Sequence, residues 1–299
     1  MKRTLVLAGG GVAGIAWELG VLLGLRDEGV DVVGSVDLVI GTSAGSAVGG
    51  QILSGIDLET LYERQLLAAH GEINPTVDFE LMMSVFADLF GGNLPDHAGR
   101  LRICEAARNA ETIAPELRRA VIEWRLPSHD WPTMPFQVTA VDVETGELTV
   151  FDRSTGVDLV DAVAASCAVP VIWPLVEIGG RRYTDGGVYS PTNAQLAVGS
   201  DVALVITPGG SDRVAAVEPE LQALRDSGCR VDLIAADAES TAVMPNPLDP
   251  DSRAASAREG RRQGRQAAAQ VAPRGVLDPV SADLDPLNLR VRWAVARSD

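Results

Sequence analysis

The chain has 299 residues, 46% of them hydrophobic and 22% charged, which excludes a disordered polymer and allows one large α/β unit or two ordinary ones. Its 41 acidic and 25 basic residues give a formal net charge of -16, which excludes the overall basic footprint of a nucleic-acid binder and favours solubility. Three widely spaced cysteines, Cys104, Cys167 and Cys229, form neither a disulfide framework nor a zinc cluster and fit a reducing compartment.

Met1-Lys2-Arg3 and the apolar stretch 5–15 have the outline of a secretory leader. Gly9-Gly10-Gly11 interrupts that stretch, and it runs into Trp17-Glu18 without a small-residue cleavage site. Residues 4–8 therefore read as a strand ended by glycines, and 15–26 as a helix. A second buried strand at 37–40 runs into Gly41, and good helix formers follow over 46–53. Repeated strand-turn-helix units predict a parallel sheet covered by helices on both faces. From 57 to about 123 the apolar spacing is helical, with breaks at Asn74-Pro75 and Gly91-Gly92, and reads as an insertion over the sheet. Strand character returns at 136–141 and 147–151, joined by the turn Glu144-Thr145-Gly146, and again at 202–206 and 231–235. The Pro- and Asp-rich stretch 244–252 is the one internal boundary the composition offers, ahead of an Arg-rich helix. The expected layout is a catalytic domain over 1–245, with its insertion at about 57–125, and a C-terminal helix and tail over 246–299 packed on it. No segment reaches the roughly 18 uninterrupted apolar residues of a membrane span, so a cytoplasmic location is expected.

The strongest chemical signal is Gly41-Thr42-Ser43-Ala44-Gly45 between a strand and a helix, the context of a nucleophile elbow. Small neighbours let the turn expose the Ser43 hydroxyl, and the helix N-terminus favours negative charge beside it. A hydroxyl nucleophile needs a base, yet His70, His97 and His129 all fall in or beside the insertion. None follows the later strands, where the Ser-Asp-His chain order of α/β-hydrolases puts its histidine. Asp185 in Tyr183-Thr184-Asp185-Gly186-Gly187 is the better partner, since two glycines permit a turn that presents the carboxylate. A carboxylate is a poor base for an alcohol, so strong stabilisation of the transition state must come from elsewhere. Gly9, Gly10 and Gly11 supply a run of uncovered backbone amides before a helix, a cradle for an oxyanion or a phosphate. The same residues satisfy Gly9-x-Gly11-x-x-Gly14, the dinucleotide-binding fingerprint. That alternative wants a carboxylate at the end of the next strand, where this chain has Ile40-Gly41-Thr42-Ser43.

The glycine triplet, Gly41 to Gly45, the segment Ala165-Ser166-Cys167-Ala168-Val169-Pro170 with Trp173-Pro174, and Asp185-Gly186-Gly187 together resemble the patatin-like phospholipase family in order and spacing. The resemblance covers about residues 4–197. It implies a three-layer α/β/α sandwich with a mostly parallel sheet, and a Ser43-Asp185 dyad without a catalytic histidine. It also implies an oxyanion hole from the Gly9 to Gly11 turn, supported by Gly41, Gly45, Gly186 and Gly187, and lipid acyl-ester hydrolysis without metal or other cofactor. Two departures stand out: Ala13 occupies a position where many relatives carry Arg or Lys, and Pro191-Thr192-Asn193 replaces an Asn-Pro pair.

Leu81, Met82, Met83, Val85, Phe86, Leu89 and Phe90 read as core or as a lid and acyl-chain wall. Arg258, Arg261, Arg262 and Arg265 share a helix face and read as a solvated surface or as a contact for anionic headgroups at a membrane. A catalytically silent relative that binds an acyl lipid or a protein partner is the third reading of the whole.

Overall fold

The computed structural model describes residues 1–68, 71–75, 79–87 and 91–271. The run Arg3–Leu7 forms β1, buried along its whole length, as a strand covered on both faces must be. β1 lies between β2 (Leu38–Thr42) and β7 (Val202–Thr207), parallel to both. β8 (Arg230–Ala235) pairs beyond β7 and β3 (Phe136–Asp142) beyond β2, again in parallel. Past β3 the direction reverses: β4 (Leu148–Phe151) and β6 (Arg181–Asp185) run antiparallel to β3, and β5 (Val176–Ile178) antiparallel to β6. The order is β5-β6-β3-β2-β1-β7-β8, with β4 attached to β3.

The period of two along the strands divides the core into layers. Leu5, Leu7 and Val39 join one core with α1 (Gly11–Asp27), α2 (Ala44–Ile52), α7 (Leu159–Ser166) and α10 (Arg253–Val271). Val6, Leu38, Ile40, Ala203 and Val205 instead meet Val217, Leu221 and Leu224 of α8 (Ser211–Asp226), and the short α9 (Ala238–Ala242) follows β8. The result is the expected α/β/α sandwich with a mostly parallel sheet. The insertion is helical, with α3 (Leu58–Leu66), α4 (Phe79–Val85), α5 (His97–Asn109) and α6 (Pro115–Arg125). Asp57 and Asp96 cap α3 and α5, accepting from the amides of Glu59 and Gly99.

Three elements escape a reading by periodicity. α7 is an eight-residue Ala/Val stretch that a strand would fit equally, α8 carries Pro219 in its interior, and β5 spans only three residues. α1 also starts at Gly11 rather than at Ile15, so the glycine turn is shorter than its sequence spacing implies.

α1 is apolar all round and buried from Val12 to Leu25, so it needs partners on every side. Along one side its partner is α10, and the contact is backbone on backbone. A Cβ on Gly20 or Gly24 would lie 2.2 Å from the carbonyl oxygen of Ala257 or Arg261, and one on Gly260 or Gly264 2.2 Å from that of Trp17 or Val21. Gly260→Val should therefore cost about 3 kcal/mol, the upper range for overpacking, read as a lowered urea midpoint. A midpoint equal to that of the parent would mean that the helices separate freely.

Two contacts mark this C-terminal region. The stretch 244–252 packs against the glycine turn: the Pro247 carbonyl accepts from the Ala13 amide at 3.1 Å and lies over Gly11. The basic face of α10 is largely neutralised inside the protein. Arg261 and Arg265 each bond Asp27 at 2.7 Å, and Arg262 bonds Asp237 at 2.5 Å and Glu259 at 2.6 Å. Residues 272–299, which include most of the expected tail, lie outside the described residues, as do His70, Leu89 and Phe90.

Candidate active site

Ser43 joins β2 to α2 with φ 53° and ψ -116°, a backbone conformation that costs a non-glycine residue free energy and persists only where neighbours hold it. Those neighbours are visible. The Ser43 amide donates to Ser166 Oγ at 2.8 Å, and its carbonyl accepts from Ser46 Oγ at 2.6 Å and from Cys167 Sγ at 3.2 Å. The Ser166-Cys167 part of the sequence motif thus clamps the elbow from α7. Gly45 is required because a Cβ there would sit 2.1 Å from the Leu7 carbonyl oxygen. Gly41 is required because a Cβ would sit 2.6 Å from that of Gly45.

Asp185 ends β6, opposite Ala140 of β3, with its amide bonded to the Ala168 carbonyl at 3.0 Å. Its Oδ1 accepts from the Gly187 amide at 2.7 Å, while Oδ2 is buried with no hydrogen-bond partner. Burial raises the carboxyl to about 6, and the Ser43 hydroxyl, the Gly187 amide and the positive charge of Arg213 offset part of that rise. Ser43 and Asp185 line the same cavity. Gly186 admits no side chain, since a Cβ would meet Thr139 Oγ1 at 2.3 Å.

The glycine turn lies against the same site. Any Cβ on Gly9 would stand 3.4 Å from the Ser43 Cβ. One correction arises here: the Gly9 amide donates to the Pro191 carbonyl at 2.9 Å, so Gly9 contributes closeness rather than a donor. The amides of Gly10, Gly11 and Val12 open α1 and have no acceptor within the helix. Two buried ionisable residues brace the turn. Glu18 Oε1 accepts from the Ala8 amide at 2.9 Å, and burial raises its carboxyl well above the usual carboxylate value. Arg213 Nη1 donates to the Gly9 carbonyl, and its guanidinium is the positive charge that both Glu18 and Asp185 feel.

Asn193 is the residue that sequence reasoning missed. Its Nδ2 lies 3.0 Å from Thr42 Oγ1, 3.3 Å from Thr139 Oγ1, 3.2 Å from the Gly186 carbonyl and 2.8 Å from that of Ser190. One amide thereby ties the ends of β2 and β3 to the Asp185 turn, while Pro191 two residues earlier holds Gly9. The altered order Pro191-Thr192-Asn193 was the available signal. Of the histidines, His97 pairs with Glu147 at 3.0 Å and His129 contacts the Glu123 carbonyl at 3.1 Å, both exposed and away from Ser43.

Ser43 and Asp185 open into a cavity of about 410 Å³ whose walls are mainly apolar, including Met82, Met83, Phe86, Val169, Val188 and Leu248. α4 of the insertion thus lines the cavity, and Leu81 and Met83 beside it are also exposed to solvent. Among the described residues no cluster of His, Cys, Asp and Glu could hold a metal ion, and no helix is long and apolar enough to cross a membrane. At the end of β2, where a dinucleotide site needs a carboxylate, stand Gly41 and the buried Thr42.

A mostly parallel sheet in which β2 turns through a serine at positive φ into a helix has the backbone geometry of the nucleophile-elbow class of α/β proteins. Within that class, the family model for patatin-like phospholipase matches residues 5–198, and the chain belongs to that family. Uncharacterized NTE family proteins of Mycobacterium bovis and Mycobacterium tuberculosis are each 28% identical over 227 residues, 73% of this chain and 52% of theirs. The chain spans about half the length of these curated relatives. Among solved structures, VipD from Legionella pneumophila aligns with a TM-score of 0.44 and 13% identity, covering 90% of this chain and 67% of that one. The type III effector ExoU aligns with a TM-score of 0.40 and 16% identity, covering 90% and 53%.

Proposed function

We propose that this chain hydrolyses the acyl esters of lipids, with Ser43 as nucleophile and Asp185 as its base. The observation that carries the reading is the held, strained Ser43 and a buried carboxylate, Asp185, lining one apolar cavity. Asp185 accepts the Ser43 proton as Oγ attacks the ester carbonyl, and first-turn amides receive the charge on oxygen. The tetrahedral intermediate collapses by breaking the bond to the alcohol, which leaves with the proton from Asp185. Water, deprotonated by the same carboxylate, then cleaves the acyl-enzyme and frees the fatty acid. Met82, Met83 and Phe86 supply a flexible apolar wall suited to an acyl chain. A cytoplasmic setting with contact at a membrane surface accords with this substrate class. The dinucleotide alternative lacks its carboxylate, and the silent-relative reading has both dyad residues against it.

The test is labelling of the intact chain with a fluorophosphonate, together with hydrolysis of p-nitrophenyl esters and a phospholipid panel. Labelling at Ser43 and release of fatty acid are expected. No labelling and no turnover on any ester would overturn the proposal.

A further inference from the structure

Ser43, Gly11, Val169 and Leu248 of the cavity wall also line an annex of about 10 Å³, which holds about one water-sized atom. Its lining includes Gly11 and Val12 from the first turn of α1, Ala44 from the first turn of α2, Ser43 itself, Trp173 and Arg118. Arg118, on α6 of the insertion, is only 5% exposed, and its Nε and Nη1 have no hydrogen-bond partner. Its guanidinium carbon lies 4.0 Å from the centroid of the Trp173 ring, a contact that softens the loss of water without neutralising the charge.

The neighbouring Arg125 has what Arg118 lacks. Its Nε and Nη2 bond the two carboxylate oxygens of Glu72 at 3.0 and 2.6 Å. Glu72 is thereby engaged, and Arg118 feels it and Asp185 only through space. Burial pulls the Arg118 guanidinium down to about 9, so it remains a cation at neutral pH. An unpaired, desolvated cation is strongly unfavourable unless an anion arrives to meet it. The annex is too small for a phosphate or carboxylate group and suits a single oxygen atom.

We propose that Arg118 is a catalytic residue, the cationic wall of the oxyanion site. Resting on the Ser43-Asp185 reading, it assigns Nε-H and Nη1-H of Arg118, together with the Gly11 and Val12 amides of α1 and the Ala44 amide of α2, to the ester carbonyl oxygen during attack. As the Oγ-C bond forms and the proton passes to Asp185, the carbonyl π pair moves onto that oxygen, and the guanidinium meets the new charge. When the intermediate collapses the pair returns, the alcohol departs with the proton, and Arg118 is again without an anion. Its attraction is thus greatest in the transition state. This also answers the sequence departure at Ala13: a charge absent from the glycine motif reaches the site from the helical insertion.

The experiment compares wild type, Arg118→Met and Arg118→Lys in the full chain. It measures kcat and KM on a neutral p-nitrophenyl ester, the rate of fluorophosphonate labelling, and Tm. Arg118→Met should lose about 10²-fold in kcat, and as much in labelling rate, with KM within about threefold and Tm unchanged or raised. Arg118→Lys, which keeps the charge, should recover most of the loss. A kcat for Arg118→Met within about threefold of wild type, or an effect confined to KM, would overturn the assignment; should that variant not fold, Arg118→Gln is read in its place by the same criteria. Wild type that neither turns over nor is labelled would overturn the dyad and this assignment together, whereas active wild type with an indifferent Arg118→Met overturns this assignment alone.

Discussion

Asp185→Asn should lower kcat by about 10³- to 10⁴-fold with the fold intact. The amide has the size of the carboxylate, and its oxygen can still accept from the Gly187 amide, but it cannot take the Ser43 proton. Two pH signatures accompany the loss. Because burial raises Asp185 to about 6, wild-type kcat/KM should climb with pH through about 6 as the carboxylate forms. The stability effect has the opposite sign. Between the unfolded value near 3.8 and the folded value of about 6, the native state keeps a proton that the unfolded chain has lost, so stability falls as pH rises across that window. The fall amounts to at most about 3 kcal/mol. Asp185→Asn escapes it, and should exceed wild type in urea midpoint at pH 7.5 but not at pH 3.5. Retention of more than about a tenth of the activity would remove Asp185 from the chemistry.

Substitution of Ser43 separates chemistry from strain. Ser43→Ala and Ser43→Gly should both abolish fluorophosphonate labelling and lower ester turnover by about 10⁴-fold or more, because Thr42, Ser46 and Cys167 at the elbow are buried and bonded to protein atoms. Their stabilities should differ. Alanine retains a Cβ at φ 53°, while glycine accepts that conformation without strain. The strain of such a residue is about 1 to 3 kcal/mol, reduced by about 0.5 to 1 kcal/mol for the greater freedom of glycine in the unfolded chain. Ser43→Gly should therefore be the more stable of the two in urea. Equal stabilities would mean that the surrounding clamp, not the backbone, sets the cost.

What could be read in the sequence was local. The Ser43 elbow, its strand and its helix are one continuous segment, and each glycine in it has a steric reason at a fixed spacing. The sheet was legible because parallel strands buried on both faces are apolar along their length, as β1, β2 and β7 are. The rest of the site was assembled across distance. Arg213 comes from α8, whose internal Pro219 obscures the helix, and Arg118 from an insertion whose spacing says only that it is helical. Asn193 carries no motif, and its importance appears only when β2, β3 and the Asp185 turn converge on one amide. The arginine face of α10 depends on distance in the same way. Helical spacing placed the charges on one side correctly, but the acidic partners Asp27 and Asp237 lie far away in sequence.

The position of β1 has a consequence for how the chain can be divided. The segment matched by the family model ends at 198, just before β7, and so contains both Ser43 and Asp185 but not the strand that covers the second edge of β1. A fragment cut to that segment would present a bare ladder of amides and carbonyls along a strand with the apolar run Leu5-Val6-Leu7, next to the uncovered glycine groove of α1. Such an edge recruits other strands, and the fragment would be expected to assemble into insoluble β-rich material. The limits of sequence likeness are thus not the limits of a foldable unit in this protein.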